Sequence, residues 1–430
     1  MSVVYLKAAG GAAGAPAPAP TERVAALLSR IAEGGAAATR ACASELDGWQ
    51  REIVVPAETR ATAAAALPGQ VKADIRFAHD NIRRFAEAQR ATIRGCEVEL
   101  SPGLVAGQRH IPVQAVGCYV PGGRYAHVAS ALMTITTARV AGVPHVAAVS
   151  PPRGADGIPA PVLYAMDLAG ADTVLTLGGV QAVAALAHGH FGLPPADMIV
   201  GPGNAYVAEA KRLLFGQIGI DMVAGPTDSL VLADDSADAE VVAADLVSQA
   251  EHGASSPVWL VTDSRALGEA VAARVPALID ALPEANADAA RLAWTRHGEI
   301  ALCADREEMA ALSDRYAPEH LHVQARDLDW WLGRLTCYGS LFLGDETTVA
   351  FGDKTAGPNH VLPTARAARY TGGLSVQKFL KTVTWQRASP DASARLAGPT
   401  ARLSRLEGME GHARAADLRA ARHGVASDPG

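Results

Sequence analysis

The sequence predicts an α/β protein with two Rossmann-like parallel-sheet domains, one inserted in the other, followed by a helical C-terminal arm. Three observations carry this expectation. Between 113 and 215, short apolar runs end in Gly or Pro turns and lead into helical patterns. The same alternation resumes at 229 and runs to about 350, and from about 375 the chain becomes polar and helical. Strands alternating with helices imply parallel sheets joined by crossovers.

In chain order, residues 1–20 read as a flexible lead-in because of the GGAAGAPAPAP run at 10–20. Residues 21–50 follow a helical period, with Val24, Leu27, Leu28 and Ile31 on one face. A second helix spans 69–93, marked by Val71, Ile75, Phe77 and Ile82. Strands are predicted at 116–120, 145–150, 173–177 and 198–200. Helices follow the third at 181–187 and the fourth after Gly201-Pro202-Gly203-Asn204. Strands at 229–233 and 258–261 flank a helix at 238–251. The expected organisation is a discontinuous α/β domain from 21–117 and 234–374, an inserted dinucleotide-binding domain at 118–233, and an arm at 375–430.

A chain of 430 residues is long enough for two or three domains, and 49% apolar with 19% charged residues is the balance of a globular protein. A net charge of -7 without a Lys/Arg block leaves no footprint for nucleic acid or an anionic membrane. Any anionic substrate must then be held by a local cluster of donors. The five cysteines form no CxxC pair, which suits a reducing cytosol better than a disulfide framework. No basic-then-apolar leader opens the chain. The Ala/Val-rich stretch at 131–149 is broken by Arg139, Pro144 and His145, too soon for a membrane span. A cytoplasmic protein is expected.

Four fragments carry groups capable of chemistry. Gln249 and His252 are spaced i,i+3 at a helix end that Gly253 closes, so they share a face and can donate to one metal, although such a pair is more often solvated. Glu319 and His320 in Pro318-Glu319-His320 set a carboxylate beside an imidazole, a pair suited to proton transfer near neutral pH or simply a polar loop. The run from Gly352 to His360 packs Asp353, Lys354, Asn359 and His360 into a glycine-bounded loop. His412 lies in the polar tail. The glycine turns after the strands can cradle a dinucleotide at helix N-termini, but no complete GxGxxG is present.

Taken together, GCYVPGGR at 117–124, GGVQAVAALAHG at 178–189, VGPGNAYVAEAKR at 200–212, DMVAGPTDSLVLAD at 221–234, DLVSQAEHG at 245–253, YAPEHL at 316–321 and GDKTAGPNHVLPT at 352–364 resemble the histidinol dehydrogenase family, in the family's order, over about 22–421. The resemblance implies a zinc- and NAD-dependent enzyme that oxidises a primary alcohol through an aldehyde to a carboxylate. It implies Gln249, His252, Asp353 and His412 as zinc ligands. His320 would be the base taking the alcohol proton, and Glu319 would activate the water that hydrates the aldehyde. Tyr119, Gln181 and Asn204 match NAD contacts; Thr227, His360 and Glu407 match substrate-side positions. The family is a homodimer whose C-terminal segment reaches the neighbour's site, so Glu407 and His412 would serve the partner subunit.

The departures bear on substrate. Histidinol-specific members usually carry an aromatic residue where this chain has Lys354, a Pro/Leu/Pro/Ser-like run where it has Tyr125-Ala126-His127-Val128-Ala129, and Ser-Glu where it has Thr227-Asp228. Lys354, His127 and Arg124 add cationic donors, which favour an anion over a protonated amine. The segments 72–89, 256–267, 327–355 and 402–419 are similar to the sulfopropanediol 3-dehydrogenase branch. That branch implies oxidation of (R)-2,3-dihydroxypropane-1-sulfonate to sulfolactate with two NAD. The alternative is histidinol dehydrogenase proper, converting L-histidinol to L-histidine. A non-catalytic member would have lost part of the ligand and base set, yet all of it is present.

Overall fold

The computed structural model describes residues 3–10, 20–122, 125–223 and 225–424; Arg124, one of the expected substrate donors, lies outside the described residues. The chain divides into one unit of residues 1–89 and 113–379 and a second of 90–112 and 380–430.

The first unit holds two parallel sheets flanked by helices. In one, Thr173–Thr176, His145–Ser150, Ala115–Tyr119, Met198–Val200 and Gly219–Ile220 lie side by side, which in chain order is 3-2-1-4-5. In the other, Glu299–Leu302, Val258–Thr262, Ser229–Ala233, His320–Gln324 and Ser340–Leu343 repeat that order. This is the doubly wound arrangement, in which ligands bind where the strand order reverses. The central strands Ala115–Tyr119 and Ser229–Ala233 are buried at every residue, as helices on both faces of a parallel sheet require. The 131–149 stretch becomes a buried helix, Val128–Ala141, followed by the strand His145–Ser150. Among the described residues no helix is long and apolar enough to cross a membrane.

Several boundaries differ from the sequence reading. Val4–Lys7 is a strand antiparallel to Glu299–Leu302, so the flexible lead-in does not include it. The helices Thr21–Asp47 and Ala57–Ala66 were expected with the 234–374 sheet. Instead Thr21–Asp47 packs on Gly179–His188 and Ala205–Leu214, and Ala57–Ala66 packs on Ala160–Ala169. The cause is the stripe Val24, Leu28 and Ile31, which enters one apolar cluster with Leu175, Val183 and Leu186. Phe77, read as a core mark, faces solvent at 60% exposure. Residues 229–233, expected to close the inserted domain, are the centre of the other sheet.

The second unit is not purely helical. Leu380–Ala388 is a nine-residue strand antiparallel to Leu104–Pro112, which also pairs with Cys96–Ser101. The helices Pro390–Leu406 and Glu410–Arg422 follow and pack through Ala401, Ala413 and Ala416. Arg405 donates to Asp417 at 2.6 Å across this helical hairpin.

Candidate active site

At the carboxyl ends of the 115–220 strands lies a cleft of about 610 Å³ lined by Tyr119, Gln181 and Asn204. All three residues expected to contact NAD thus meet in one cavity. Each also has local work. Asn204 caps the helix Ala205–Leu214, its Oδ1 accepting from Tyr206 N at 3.0 Å and Val207 N at 3.1 Å. The Tyr119 hydroxyl accepts from Gly179 N at 3.1 Å, and Gln181 Nε2 donates to Asp47 at 2.8 Å. Two ten-residue helices, Gly179–His188 and Ala205–Leu214, begin beside the cleft, and helix starts attract phosphate. Gly201 sits at φ +112, where a Cβ would lie 2.1 Å from the Tyr119 carbonyl oxygen. Its N–H donates to Asp221 at 2.7 Å and its carbonyl accepts from Lys211 at 2.9 Å, while Lys211 and Asp221 pair with each other, fully buried.

A second constellation occupies the amino edge of the other sheet. Glu319 and His320, which local sequence allows as surface polars, are 5% and 3% exposed. His320 opens the strand His320–Gln324, between Ser229 and Ser340 on the flanking strands. Asp228 grips this corner: its Oδ1 accepts from Glu319 N at 2.7 Å, and its own N–H donates to Glu319 Oε2 at 3.3 Å. His320 Nδ1 is 3.7 Å from Glu319 Oε2, and Nε2 is 3.6 Å from Asp353 Oδ1. Asp353 Oδ2 is 3.8 Å from His252 Nε2. His360 Nδ1 donates to the Asp353 carbonyl at 3.0 Å, which leaves Nε2 to accept from the Ser130 hydroxyl at 2.9 Å. Thr227 is half-buried beside Asp228, His127 is half-buried, and Lys354 is exposed.

The electrostatics follow from this crowding. Burial pushes the Glu319 carboxyl up, and the charge of His320 only partly offsets it. Burial alone would depress His320, but Glu319 and Asp353 hold its imidazolium and the net direction is upward. Burial also opposes the Asp353 charge, yet the proximity of His320, with His360 and His252, keeps it far below the ordinary carboxylate range. Burial lowers His127 to about 4, and the neighbouring His360, Lys354 and His252 act in the same direction.

The fit to a metal rests on one orphaned atom and the donors around it. Gln249 Oε1 is buried without a hydrogen-bond partner, which costs free energy unless a cation or donor meets it. With His252 and Asp353 it completes an N/O donor set of the kind zinc accepts. Among the described residues, no three His, Cys, Asp or Glu side chains are clustered tightly enough to hold a metal by themselves. His412, the other expected ligand, is exposed on Glu410–Arg422, and Glu407 is exposed at the end of Pro390–Leu406, both in the second unit. Two local readings are corrected. The helix bearing Gln249 ends at Ala250, so His252 follows in a turn, its N–H on the Gln249 carbonyl at 3.3 Å. Asp353 lies not in a loop but in a short helix, Val349–Lys354.

Sequence reasoning missed Asp47, Ser130, Lys211, Asp221 and the gripping role of Asp228. Lys211 carried a signal, since it falls on the buried stripe of Val207, Ala210 and Leu214. Asp228 carried another, an acid directly before Ser229 and the apolar run Leu230–Ala233. Asp47 carried none.

The histidinol dehydrogenase family model matches residues 16–420. A histidinol dehydrogenase homolog of Ruegeria pomeroyi is 63% identical over 97% of both chains. The sulfopropanediol 3-dehydrogenase of Ruegeria pomeroyi is 58% identical over 98% of this chain and 97% of its own. The crystal structure of histidinol dehydrogenase from Elizabethkingia anophelis superposes with a TM-score of 0.90 at 29% identity, covering 96% of this chain and 94% of that one.

Proposed function

The chain belongs to the histidinol dehydrogenase family, and we propose that it oxidises a small anionic primary alcohol, (R)-2,3-dihydroxypropane-1-sulfonate, to sulfolactate. The balance is one alcohol, one water and two NAD⁺ giving one carboxylate, two NADH and three protons. The observation that carries the anionic substrate is the sign of the local field. The positive charge at that corner is the exposed Lys354, next to Asp353; burial pushes His127, His252 and His360 below the ordinary histidine value, so they face it as neutral hydrogen-bonding groups. An anion is drawn to such a corner and a protonated amine is repelled. The 58% identity to a sulfopropanediol 3-dehydrogenase supports the same choice.

In this reading the cleft at Tyr119, Gln181 and Asn204 takes NAD, the hydride acceptor. Gln249, His252 and Asp353, with His412 from the C-terminal arm of a second copy, would hold zinc, which when bound would supply a Lewis acid for the substrate oxygen. His320 Nε2 takes the hydroxyl proton in its neutral imidazole form, which Glu319 and Asp353 displace to higher pH. Glu319, buried beside it, takes a proton in its ionised form, which burial likewise displaces to higher pH, from the water that hydrates the aldehyde before the second oxidation. Thr227, His360 and Glu407 orient the substrate, and His127, Lys354 and Arg124 bind its sulfonate. The dimer belongs to the same reading, with Glu407 and His412 serving a second copy of the chain. The exposed Leu403, Leu406, Met409 and Leu418 on the arm's helices support a covered surface there.

The deciding experiment follows NADH formation by zinc-loaded protein with dihydroxypropanesulfonate and, in parallel, with L-histidinol. Two NADH per sulfonate consumed, with little signal from histidinol, is the expected result. The reverse would make L-histidinol the substrate and overturn the reading of Lys354 and His127.

A further inference from the structure

The proposed metal donors and the base beside them come from three separate elements. Gln249 and His252 lie at the end of the helix Ala239–Ala250, His320 opens the strand His320–Gln324, and Asp353 belongs to the helix Val349–Lys354. One side chain outside the site joins all three. Asp245 sits one turn before Gln249 on the same helix. Its Oδ1 accepts from the Thr348 hydroxyl at 2.8 Å, and its Oδ2 accepts from Gln324 Nε2 at 2.7 Å and lies 3.3 Å from His322 Nδ1. His322 is fully buried and Gln324 is 2% exposed.

Each bond reaches a residue in register with a working group. Thr348 caps the helix that carries Asp353, so its Oγ1 donates to Asp245 and accepts from Ala350 N at 3.3 Å. His322 and Gln324 lie two and four residues beyond His320, on the same face of the strand. His322 Nε2 donates to the Gly344 carbonyl at 2.8 Å, at the start of the turn leading into the Asp353 helix. A half-buried carboxylate held by donors from buried residues in this way resists displacement, because each lost bond strands a polar group of His322 or Gln324 away from water.

We propose that Asp245, through Thr348, His322 and Gln324, is the positioning residue that holds Asp353 and His320 in register with Gln249 and His252 and so sets the affinity and geometry of the metal centre. The inference rests on the reading that Gln249, His252 and Asp353 bind a divalent cation. None of the four network residues donates to that cation, so they act on it only through alignment, the manner in which outer-shell partners govern metal sites.

The test uses full-length wild type, Thr348→Val, Thr348→Ser and Asp245→Asn. Zinc affinity is measured by competition with a chromophoric chelator, and ligand geometry by the visible spectrum of the cobalt(II)-substituted protein. Thr348→Val cuts the limb to the Asp353 helix and with it the cap on Ala350 N, whereas Asp245→Asn leaves that cap in place. Thr348→Val is expected to weaken zinc binding by about 10–100-fold, to shift the cobalt bands and to leave NAD binding unchanged, because the other sheet carries the NAD cleft. Thr348→Ser restores both metal readouts, and Asp245→Asn weakens zinc at least as much as Thr348→Val. Wild-type zinc affinity and an unaltered cobalt spectrum in Thr348→Val and Asp245→Asn would reduce the network to a folding role and overturn the inference while sparing the metal reading. A wild-type protein that binds neither zinc nor cobalt would overturn both.

Discussion

Replacing Lys211 with Met tests how the floor of the NAD cleft is held. The Lys211 ammonium and the Asp221 carboxylate are 3% and 0% exposed, and between them they grip both polar groups of Gly201. Lys211→Met keeps most of the side-chain volume but leaves Asp221 as a buried charge supported only by the N–H groups of Gly201 and Met222. Removing one partner of a buried ion pair costs about 3–5 kcal/mol. At about 1–2 °C per kcal/mol for a unit of more than 350 residues, the melting temperature should fall by about 5 °C. The Gly201 turn loses its carbonyl anchor, so NAD affinity measured by titration calorimetry should fall as well. Lys211→Met/Asp221→Asn removes the stranded charge while keeping an oxygen for the Gly201 N–H, and should recover part of both losses. A single variant within about 1 kcal/mol of wild type, or a double variant no better than the single, would refute the reasoning, since the single variant's penalty is that of an unpaired charge.

Three further outcomes are expected. Gly201→Ala puts a methyl 2.1 Å from the Tyr119 carbonyl oxygen at a backbone φ of +112; it should lose at least about 2 kcal/mol of stability and most NAD affinity, checked by urea unfolding and NAD titration. Burial raises Asp228 from 3.8 to about 6, so the folded chain binds that proton more tightly than the unfolded one. The stabilisation is complete below the unfolded pKa and is lost as pH rises through about 6. Asp228→Asn should therefore melt like wild type near pH 4 and above it at pH 7, by up to about 3 kcal/mol; an equal difference at both pH values would contradict this. Lys354→Ala should raise KM for the sulfonate about tenfold, the loss of roughly 1.4 kcal/mol of ion pairing, with kcat little changed; unchanged steady-state kinetics would remove Lys354 from the anion site.

The alternation of short apolar runs with Gly and Pro turns placed the strands 145–150, 198–200 and 229–233 at their observed bounds. Such strands are buried on both faces, so their residue types are dictated locally and show in the sequence. The ordered motifs likewise named the groups that meet at the cleft and at Asp353. Other features depended on partners far along the chain. Leu380–Ala388 has the β-branched and aromatic residues of a strand, but its ladder is completed by 104–112, more than 260 residues earlier. Whether Glu319 and His320 are surface polars or a buried dyad was decided by the strands at Ser229 and Ser340 that enclose them. Asp245 finds Gln324 at a separation of 79 residues and Thr348 at 103. Periodicity records which face of an element is buried; it does not record which polar group on a distant element will meet it there, because that pairing is set by the packing of whole layers.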